Sequence, residues 1–563
     1  MKILLAAINA KYIHSNYAVR CLRAYLESHT AFTAEIAEYT INHSMELILR
    51  ELYEKKPDVL GFSCYIWNIE YVKELSLELK KLLPKLVIIW GGPEVSYDPD
   101  TVVGQYADQV VCGEGETAFT QLIKQLADGR VPQPVIRGEP TELDDIPFVY
   151  PDETELPHQI LYYESSRGCP FHCQYCLSSI DKRVRFQSMK RTLADFDCFL
   201  KRKVPQVKLI DRTFNCDKER TKALWRYLIE HDNGVTNFHF EIAGELLDKE
   251  CLAILSKARP HYFQLEIGVQ STNQKTLREI QRSSSLTSLF SAIRTLRKQN
   301  NIHIHLDLIA GLPFEDITSF ANSFNEVYRL RPHQLQLGFL KVLKGSGMEQ
   351  RQSRYGIVFW DRPPYEVLHT NWLSYEDILR LKAIEDMVER YYNSGRYQAS
   401  IHYLESCFAS PFAFYDALAA FYRKRGLHLK AISETDSYSV LYEFMLDCCQ
   451  SSENDKTRFQ WLIRFDMFSH QKAKRLPQWL VCNGVTPYLD QIRHFFEAPE
   501  NRSLFPEYAQ EKDPRQLMRL LHLEVFPFDP RTGAEGQTAL LFCYRCKDIS
   551  GNASIKKVSL PLK

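Results

Sequence analysis

Three cysteines, in Cys169-Pro-Phe-His-Cys173-Gln-Tyr-Cys176, stand closest to recognisable chemistry in this 563-residue chain. Their spacing is Cys-x3-Cys-x2-Cys, with no fourth cysteine close by. Three thiolates fall one short of a closed four-coordinate zinc site. They can hold three irons of a cubane cluster and leave the fourth iron open. An open iron is what is needed to bind the amino and carboxylate groups of S-adenosylmethionine and pass an electron to its sulfonium. The alternative is a zinc site completed by His172 or by a distant ligand. Five basic residues follow closely: Lys182, Arg183, Arg185, Lys190 and Arg191. They suit an anionic substrate or a reductant such as flavodoxin, although a solvated basic face is the commoner case. The other cysteines carry weaker signals. Cys543-Tyr-Arg-Cys546 lies in an apolar run, and positions three apart on a strand face opposite sides, which favours a structural role. Cys448-Cys449 reads as core. Cys64, Cys112 and Cys216 fall at expected strand ends and read as small buried residues.

The elements around the cysteines have to place them. After Tyr162–Gly168 come strand-like segments at Gln206–Asp211, Asn237–Gly244, Tyr262–Ser271, Ile302–Pro313 and Gln334–Lys341. Helical stretches separate them at Lys218–His231, Lys249–Lys257, Ser285–Gln299 and Ile317–Arg331. With the cysteine strand this makes six βα units, a partial TIM-like barrel over residues 155–345 whose site lies at the carboxyl ends of its strands. Residues 1–145 read as a separate doubly wound, Rossmann-like α/β domain. Its expected strands are Lys2–Asn9, Asp58–Tyr65, Lys85–Trp90 and Gln109–Cys112, with helices at Asn16–Ser28 and Asn68–Leu83. Such sheets bind ligands beyond the carboxyl ends of their strands. Here those loops are Asn9–Asn16, Ser63–Asn68, Gly91–Glu94 and Gly113–Glu116. There is no GxGxxG or Walker sequence. The glycines either admit a flat, bulky ligand to the backbone or simply make tight turns.

The middle segment resembles the radical S-adenosylmethionine enzymes. The cysteine motif has an aromatic, Tyr175, just before its last cysteine. Leu265-Glu-Ile-Gly-Val-Gln-Ser271 and Leu306-Asp-Leu-Ile-Ala-Gly-Leu-Pro313 are similar to the fourth and fifth barrel strands of the oxygen-independent coproporphyrinogen oxidase branch. The resemblance implies that Gln270 and Asp307 hold the ribose hydroxyls, with Ser271 and Ile309 beside them. It also implies Tyr175 beside the adenine through its backbone and Glu241 near the methionyl part. The family's Gly-rich stretch after the second strand is replaced here by Asp211-Arg-Thr-Phe-Asn215, leaving Asp211 as the candidate there.

A doubly wound domain directly before such a barrel resembles the cobalamin-binding radical enzymes, and the combined likeness covers about residues 1–345. It implies cobalamin contacts from Asn9, Tyr12, His14, Ser15 and Asn16 in the first loop, and from Ser63 and Tyr65 in the next. Gly91, Gly92 and Glu94, then Gly113, Glu114 and Gly115, complete the set. The Asp-x-His-x-x-Gly motif of other cobalamin proteins is absent, which points to a cobalt without a histidine ligand.

Composition bounds the rest. Lys+Arg 70 against Asp+Glu 70 leaves no global basic field for nucleic acid. No apolar run is long enough to span a bilayer, and the opening Met-Lys-Ile-Leu-Leu reads as a strand rather than a signal peptide. Fifteen cysteines without an export signal then suggest reduced thiols in the cytoplasm. Residues 346–370, with Gly345, Gly347, Gly356 and Pro363-Pro364 in or beside them, read as a linker. Residues 371–563 read as a mainly helical domain with a terminal hairpin of Thr538–Tyr544 and Lys556–Leu562, an appendage expected to close the barrel mouth.

The whole implies a cobalamin- and iron–sulfur-dependent radical enzyme fed by a flavodoxin- or ferredoxin-type reductant. Its expected reaction is methyl transfer to an unreactive carbon. One S-adenosylmethionine would methylate cobalamin, and another would be cleaved to a 5′-deoxyadenosyl radical that abstracts a substrate hydrogen. Alternatives are a radical rearrangement, cyclisation or oxidation without methylation, and a non-catalytic cobalamin or redox sensor. The intact Gln270 and Asp307 argue against a sensor. Substrate and oligomeric state are not legible.

Overall fold

The computed structural model describes residues 1–150, 159–181, 183–282, 284–473, 476–480, 488–511 and 513–560. Lys182, the expected barrel start at residue 155 and the end of the strand Lys556–Leu562 lie outside these residues.

The first domain is a six-stranded parallel sheet: β1 Ile3–Asn9, β2 Ala34–Thr40, β3 Val59–Ser63, β4 Val87–Gly91, β5 Gln109–Cys112 and β6 Val135–Arg137. The spatial order is β2-β1-β3-β4-β5-β6. β1, β3 and β5 are buried along their whole length, as a sheet covered by helices on both faces requires. Helices Tyr17–His29, Met45–Lys55, Ile69–Leu82 and Glu116–Ala127 supply that cover. The strand order reverses beside β1, so a crevice opens beyond the carboxyl ends of β1 and β3. The sequence reading omits β2 and β6. β2, Ala-Glu-Ile-Ala-Glu-Tyr-Thr, is an edge strand whose Glu35 and Glu38 break any apolar run, and β6 is three residues long.

The second domain is also six parallel strands: β7 Leu161–Tyr163, β8 Gln206–Leu209, β9 Asn237–Ile242, β10 Phe263–Gln270, β11 His303–Ala310 and β12 Gln334–Phe339. They pair in chain order, and β7 does not pair with β12, so the barrel is partial. Along β10, buried Phe263, Leu265, Ile267 and Val269 alternate with partly exposed Gln264, Glu266, Gly268 and Gln270. One face packs on the outer helices and the other forms a polar lumen. The helices expected between the strands are present, together with Met189–Lys201 before β8.

The stretch expected as a linker is a folded strap. It contains the helix Gly347–Arg351 and a small ladder of Val358–Phe359 with Val367–His369. Met348 N donates to Gln174 O at 2.8 Å, which fastens the strap to the cysteine loop. Tyr365 donates its hydroxyl to Glu94, fastening the same strap to the first domain.

The C-terminal helices Tyr375–Met387, Gln398–Glu405, Pro411–Lys424, Glu434–Cys448 and Glu453–His470 lie against the side of the barrel rather than over its mouth. Asn393 donates to Leu335 O and accepts from Leu335 N, both at 2.9 Å, capping the free edge of β12. The terminal sheet has three antiparallel strands, β13 Leu521–Phe528, β14 Glu535–Lys547 and β15 Ala553–Val558, one more than the expected hairpin. Cys543 is buried and Cys546 half-buried on β14. Cys448 is exposed and Cys449 half-buried, so that pair is not core.

Candidate active site between the sheet edge and the barrel

The crevice of the first sheet widens into a cavity of about 750 Å³. Its walls include Asn9, His14, Ser15 and Asn16 after β1, Ser63 and Tyr65 after β3, Gly91 and Gly92 after β4, and Gly113, Glu114 and Gly115 after β5. A deep apolar branch runs along the sheet between Leu5, Gly61, Phe62, Val111 and Phe119. Gly92 sits at φ +114°, and a Cβ there would lie 2.6 Å from the Cys64 carbonyl, so no larger residue fits this turn. Asn68 ties the two central loops together, donating to Ile8 O at 3.0 Å and Ser63 O at 2.8 Å. Asn16 does the same with Asn9 Oδ1 and Ser63 Oγ. Trp67, which the sequence reading passes over, stacks on Tyr65 with centroids 4.4 Å apart and forms part of the wall. An aromatic pair in a loop beyond a strand end was the available signal.

Two expected contacts fall outside this wall. Tyr12 is 69% exposed, and Glu94 is buried against Tyr365 of the strap. His14 lines the cavity with Nδ1 2.6 Å from the Tyr162 hydroxyl, and burial lowers its pKa.

The opposite wall belongs to the barrel, through Tyr162, Glu164, Arg167, Leu177, Ser178, Ile210 and Arg212. Arg167 binds Glu114, Glu116 and Glu164 at 2.7–2.9 Å, and Arg185 also reaches Glu114. Burial would raise the Glu114 carboxyl, but Arg167 and Arg185 hold it below its usual range. This buried ionic lock fixes the cysteine loop opposite the sheet edge. It also disperses the basic stretch: among its described residues Arg185 turns inward, Arg191 pairs with Asp195, and Arg183 and Lys190 are exposed.

Cys169 and Cys173 are buried and Cys176 half-buried, all as free thiols. Ser179 closes their loop by donating to Cys173 O and Cys176 O at 2.9 and 2.6 Å. Arg282 Nη1 lies 3.7 Å from Cys173 Sγ and 3.2 Å from the Tyr175 hydroxyl. Sulfurs that take hydrogen bonds from a cation suit an iron–sulfur cluster. Tetrahedral zinc would bring its sulfurs to about 3.8 Å of one another. Among the described residues, no trio of ligand atoms within 4.8 Å includes these thiols, and His172 points to solvent. The three thiols therefore do not form a preformed tetrahedral zinc site.

Gln270, Asp307, Ile309 and Glu241 share the lumen face near the carboxyl ends of β9, β10 and β11. Gln270 Oε1 is buried without a hydrogen-bond partner, as an acceptor awaiting a hydroxyl donor would be, and the Asp307 carboxylate stands on the neighbouring strand. Glu241 has its pKa raised by burial and by neighbouring Glu266. Two expected contacts are instead committed to the protein itself. Asp211 accepts from Ser165 N, Ser165 Oγ and Ser166 Oγ at 2.6–2.9 Å, and burial pushes its carboxyl up to about 6. It clasps β7 to β8 rather than facing the lumen. Ser271 donates its hydroxyl to buried Glu315 at 2.6 Å.

Comparison with known proteins agrees with this geometry. Residues 3–123 match the family model described as a B12 binding domain, and residues 163–327 match the radical SAM superfamily. Residues 353–542 match a family described as a protein of unknown function (DUF4080). The chain is 25% identical to a 2-(S-pantetheinyl)-carbapenam-3-carboxylate methyltransferase of Streptantibioticus cattleyicolor over 49% of this chain and 46% of that one. It is 21% identical to the cobalamin-dependent radical SAM methyltransferase TokK of Streptomyces tokunonensis over 54% and 50%. The chain thus spans about half the length of the curated relatives it matches. The solved structure of the cobalamin-dependent S-adenosylmethionine radical enzyme OxsB, with aqua-cobalamin and S-adenosylmethionine bound, superposes with a TM-score of 0.56. That match has 14% identity over 83% of this chain and 84% of that one, and it shows a shared fold. The chain carries a B12-binding domain followed by a radical SAM domain.

Proposed function

We propose that this protein is a cobalamin-dependent radical S-adenosylmethionine enzyme that transfers a methyl group to an unreactive carbon of its substrate. The observation that carries the reading is the shared cavity: the Arg167–Glu114 lock sets the cysteine loop across about 750 Å³ from the glycine-lined sheet edge. When bound, the cluster with S-adenosylmethionine supplies one-electron chemistry for breaking a carbon–hydrogen bond, and cobalamin supplies a carrier for the methyl group.

In this reading Cys169, Cys173 and Cys176 hold the cluster, and Arg282 steadies the Cys173 sulfur. Gln270 and Asp307 accept the ribose hydroxyls, Ile309 and the Tyr175 backbone flank the adenine, and Glu241 faces the methionyl end. Asp211 and Ser271 act through the backbone they brace. The Gly91-Gly92 and Gly113–Gly115 turns admit the corrin to the sheet edge, and the apolar branch past Gly61 takes its tail. His14, its Nδ1 held by Tyr162, would line the corrin pocket, and the missing Asp-x-His-x-x-Gly motif supports the reading that no histidine binds the cobalt. No described helix is long and apolar enough to cross a membrane. A flavodoxin- or ferredoxin-type reductant and a cytoplasmic setting complete the proposal.

The test is anaerobic reconstitution followed by mass spectrometry of the products. S-adenosylhomocysteine together with 5′-deoxyadenosine is the expected outcome. 5′-Deoxyadenosine alone would replace methyl transfer by rearrangement or oxidation. No turnover of S-adenosylmethionine would overturn the enzyme reading.

A further inference from the structure

Below the level of Gln270, the barrel lumen holds a second group of ligating side chains. Glu266 on β10 and His305 and Asp307 on β11 offer one ligand atom each, and the three atoms lie within 4.8 Å of one another. His239, on the adjacent strand β9, adds Nε2 at 2.9 Å from Glu266 Oε2, and His305 Nε2 is 3.0 Å from Asp307 Oδ1. Both imidazoles are only 6% exposed.

These distances are short enough for hydrogen bonds, yet neither nitrogen makes one. His239 Nε2, His305 Nε2 and Asp307 Oδ1 are all buried without a hydrogen-bond partner. Both pairs are close in distance but fall short of hydrogen-bond geometry. By contrast, His522 Nε2 at 2.8 Å from Glu524 Oε2 meets the angular requirement. Nitrogen and oxygen atoms that sit side by side without bonding to each other are arranged as two ligands of one ion. At metal–ligand lengths of about 2.0–2.2 Å, neighbouring ligand atoms stand about 3.0–3.5 Å apart.

Charge points the same way. Glu266 and Glu241 face Lys208, whose Nζ is 3.0 Å from Glu266 and 3.8 Å from Glu241, the Arg212 charge also acts on Glu241, and Asp307 stands beside His305. Three carboxylates against two cations leave a net negative charge in a partly enclosed lumen, which a bound cation offsets.

We infer that His239, Glu266, His305 and Asp307 form a binding site for a divalent transition-metal ion of borderline softness, separate from the cysteine cluster. Mixed imidazole and carboxylate ligands suit zinc or ferrous iron and disfavour the hard ions calcium and magnesium. Asp307 would use its buried Oδ1 here, leaving Oδ2 for the ribose. The inference does not depend on the ribose assignment, because zinc occupancy is read without S-adenosylmethionine.

Zinc is the probe. Full-length protein with its cluster reconstituted is equilibrated with zinc at a free concentration set by a chelator. Bound zinc is then counted by mass spectrometry, and iron is counted in the same sample. Wild type is expected to hold one zinc per chain. His305→Ala and Glu266→Gln should each weaken zinc binding by at least about 10-fold while iron content is unchanged. Zinc should raise the melting temperature of wild type but not of the conservative variant His239→Gln. Absence of bound zinc in wild type, or equal binding in all the variants, would overturn the site.

Discussion

The sheet edge meets the central cavity mainly with glycine, asparagine, serine and the Tyr65–Trp67 pair, whereas the barrel meets it with Arg167, Arg212 and Glu164 and keeps lysine, histidine and further carboxylates in its lumen. The first surface recognises by shape. It brings backbone close to a ligand and places an apolar branch behind, so its tolerance is set by volume. The second recognises by charge and hydrogen bonding, so its tolerance is set by protonation and by what each acceptor can find to bind. Both are made by strands of parallel sheets ending at the same place. The difference lies in the inner side of each sheet: helices cover both faces of the first, while the second curls and leaves one face to a lumen.

The contrast is broken or sharpened by experiment. The largest effect should come from the cysteines. Replacing Cys169, Cys173 and Cys176 together with Ala is expected to abolish the four-iron absorbance of the reconstituted protein and cleavage of S-adenosylmethionine alike. A retained four-iron spectrum would place the cluster elsewhere.

A matched pair of single substitutions then separates the two surfaces. Gly92→Ala introduces a Cβ 2.6 Å from the Cys64 carbonyl at a positive φ. It should weaken cobalamin binding by about 10-fold or more, from roughly 1–2 kcal/mol of strain. Binding of S-adenosylmethionine should be unaffected. Asp307→Ala should do the reverse, weakening S-adenosylmethionine by about 10- to 150-fold for a charge-assisted hydrogen bond of about 1.5–3 kcal/mol. Titrations of both ligands against both variants check this. If each variant weakens both ligands equally, the division between the surfaces is wrong.

The smallest effect tests the electrostatic side alone. Burial pushes the Glu315 carboxyl from 4.5 up to about 7, so the folded protein prefers the protonated acid. Ionisation therefore costs stability progressively as pH rises from about 4.5 through 7, and costs nothing below that range. Glu315→Gln cannot ionise. Its stability relative to wild type should rise by about 1–3 kcal/mol between pH 4 and pH 8. Urea midpoints across that range give the slope, and parallel curves for the two proteins would contradict it.

Much of this organisation is legible along the chain because it is written in short-range patterns. The six barrel strands show as apolar segments ended by polar residues, and the three proposed cluster ligands lie within eight consecutive positions. β2 escapes because an edge strand is half exposed and alternates glutamates with apolar residues, which removes the continuous run that marks its neighbours. The strap over 346–370 escapes because its glycines and prolines are those of any loop. Partners distant in sequence, among them Gln174, Glu279 and Glu94, make it structure.

Residue roles divide along the same line. Cys169, Cys173 and Cys176, the proposed cluster ligands, could be singled out from spacing alone, because one short loop carries all three. Asp211 and Ser271 could not be, since each is claimed by a partner 44 to 46 residues away that satisfies its polar atoms first. Nor could Glu114 be seen as half of a lock with Arg167, 53 residues later. The sequence by itself determined the six barrel strands, four strands of the first sheet, and where three closely spaced thiols stand. The tertiary structure decided which polar side chains are left over once buried donors and acceptors have paired. That is a physical consequence of burial: an unpaired polar group is costly, so pairing across the fold takes precedence, and only the unclaimed groups face a ligand.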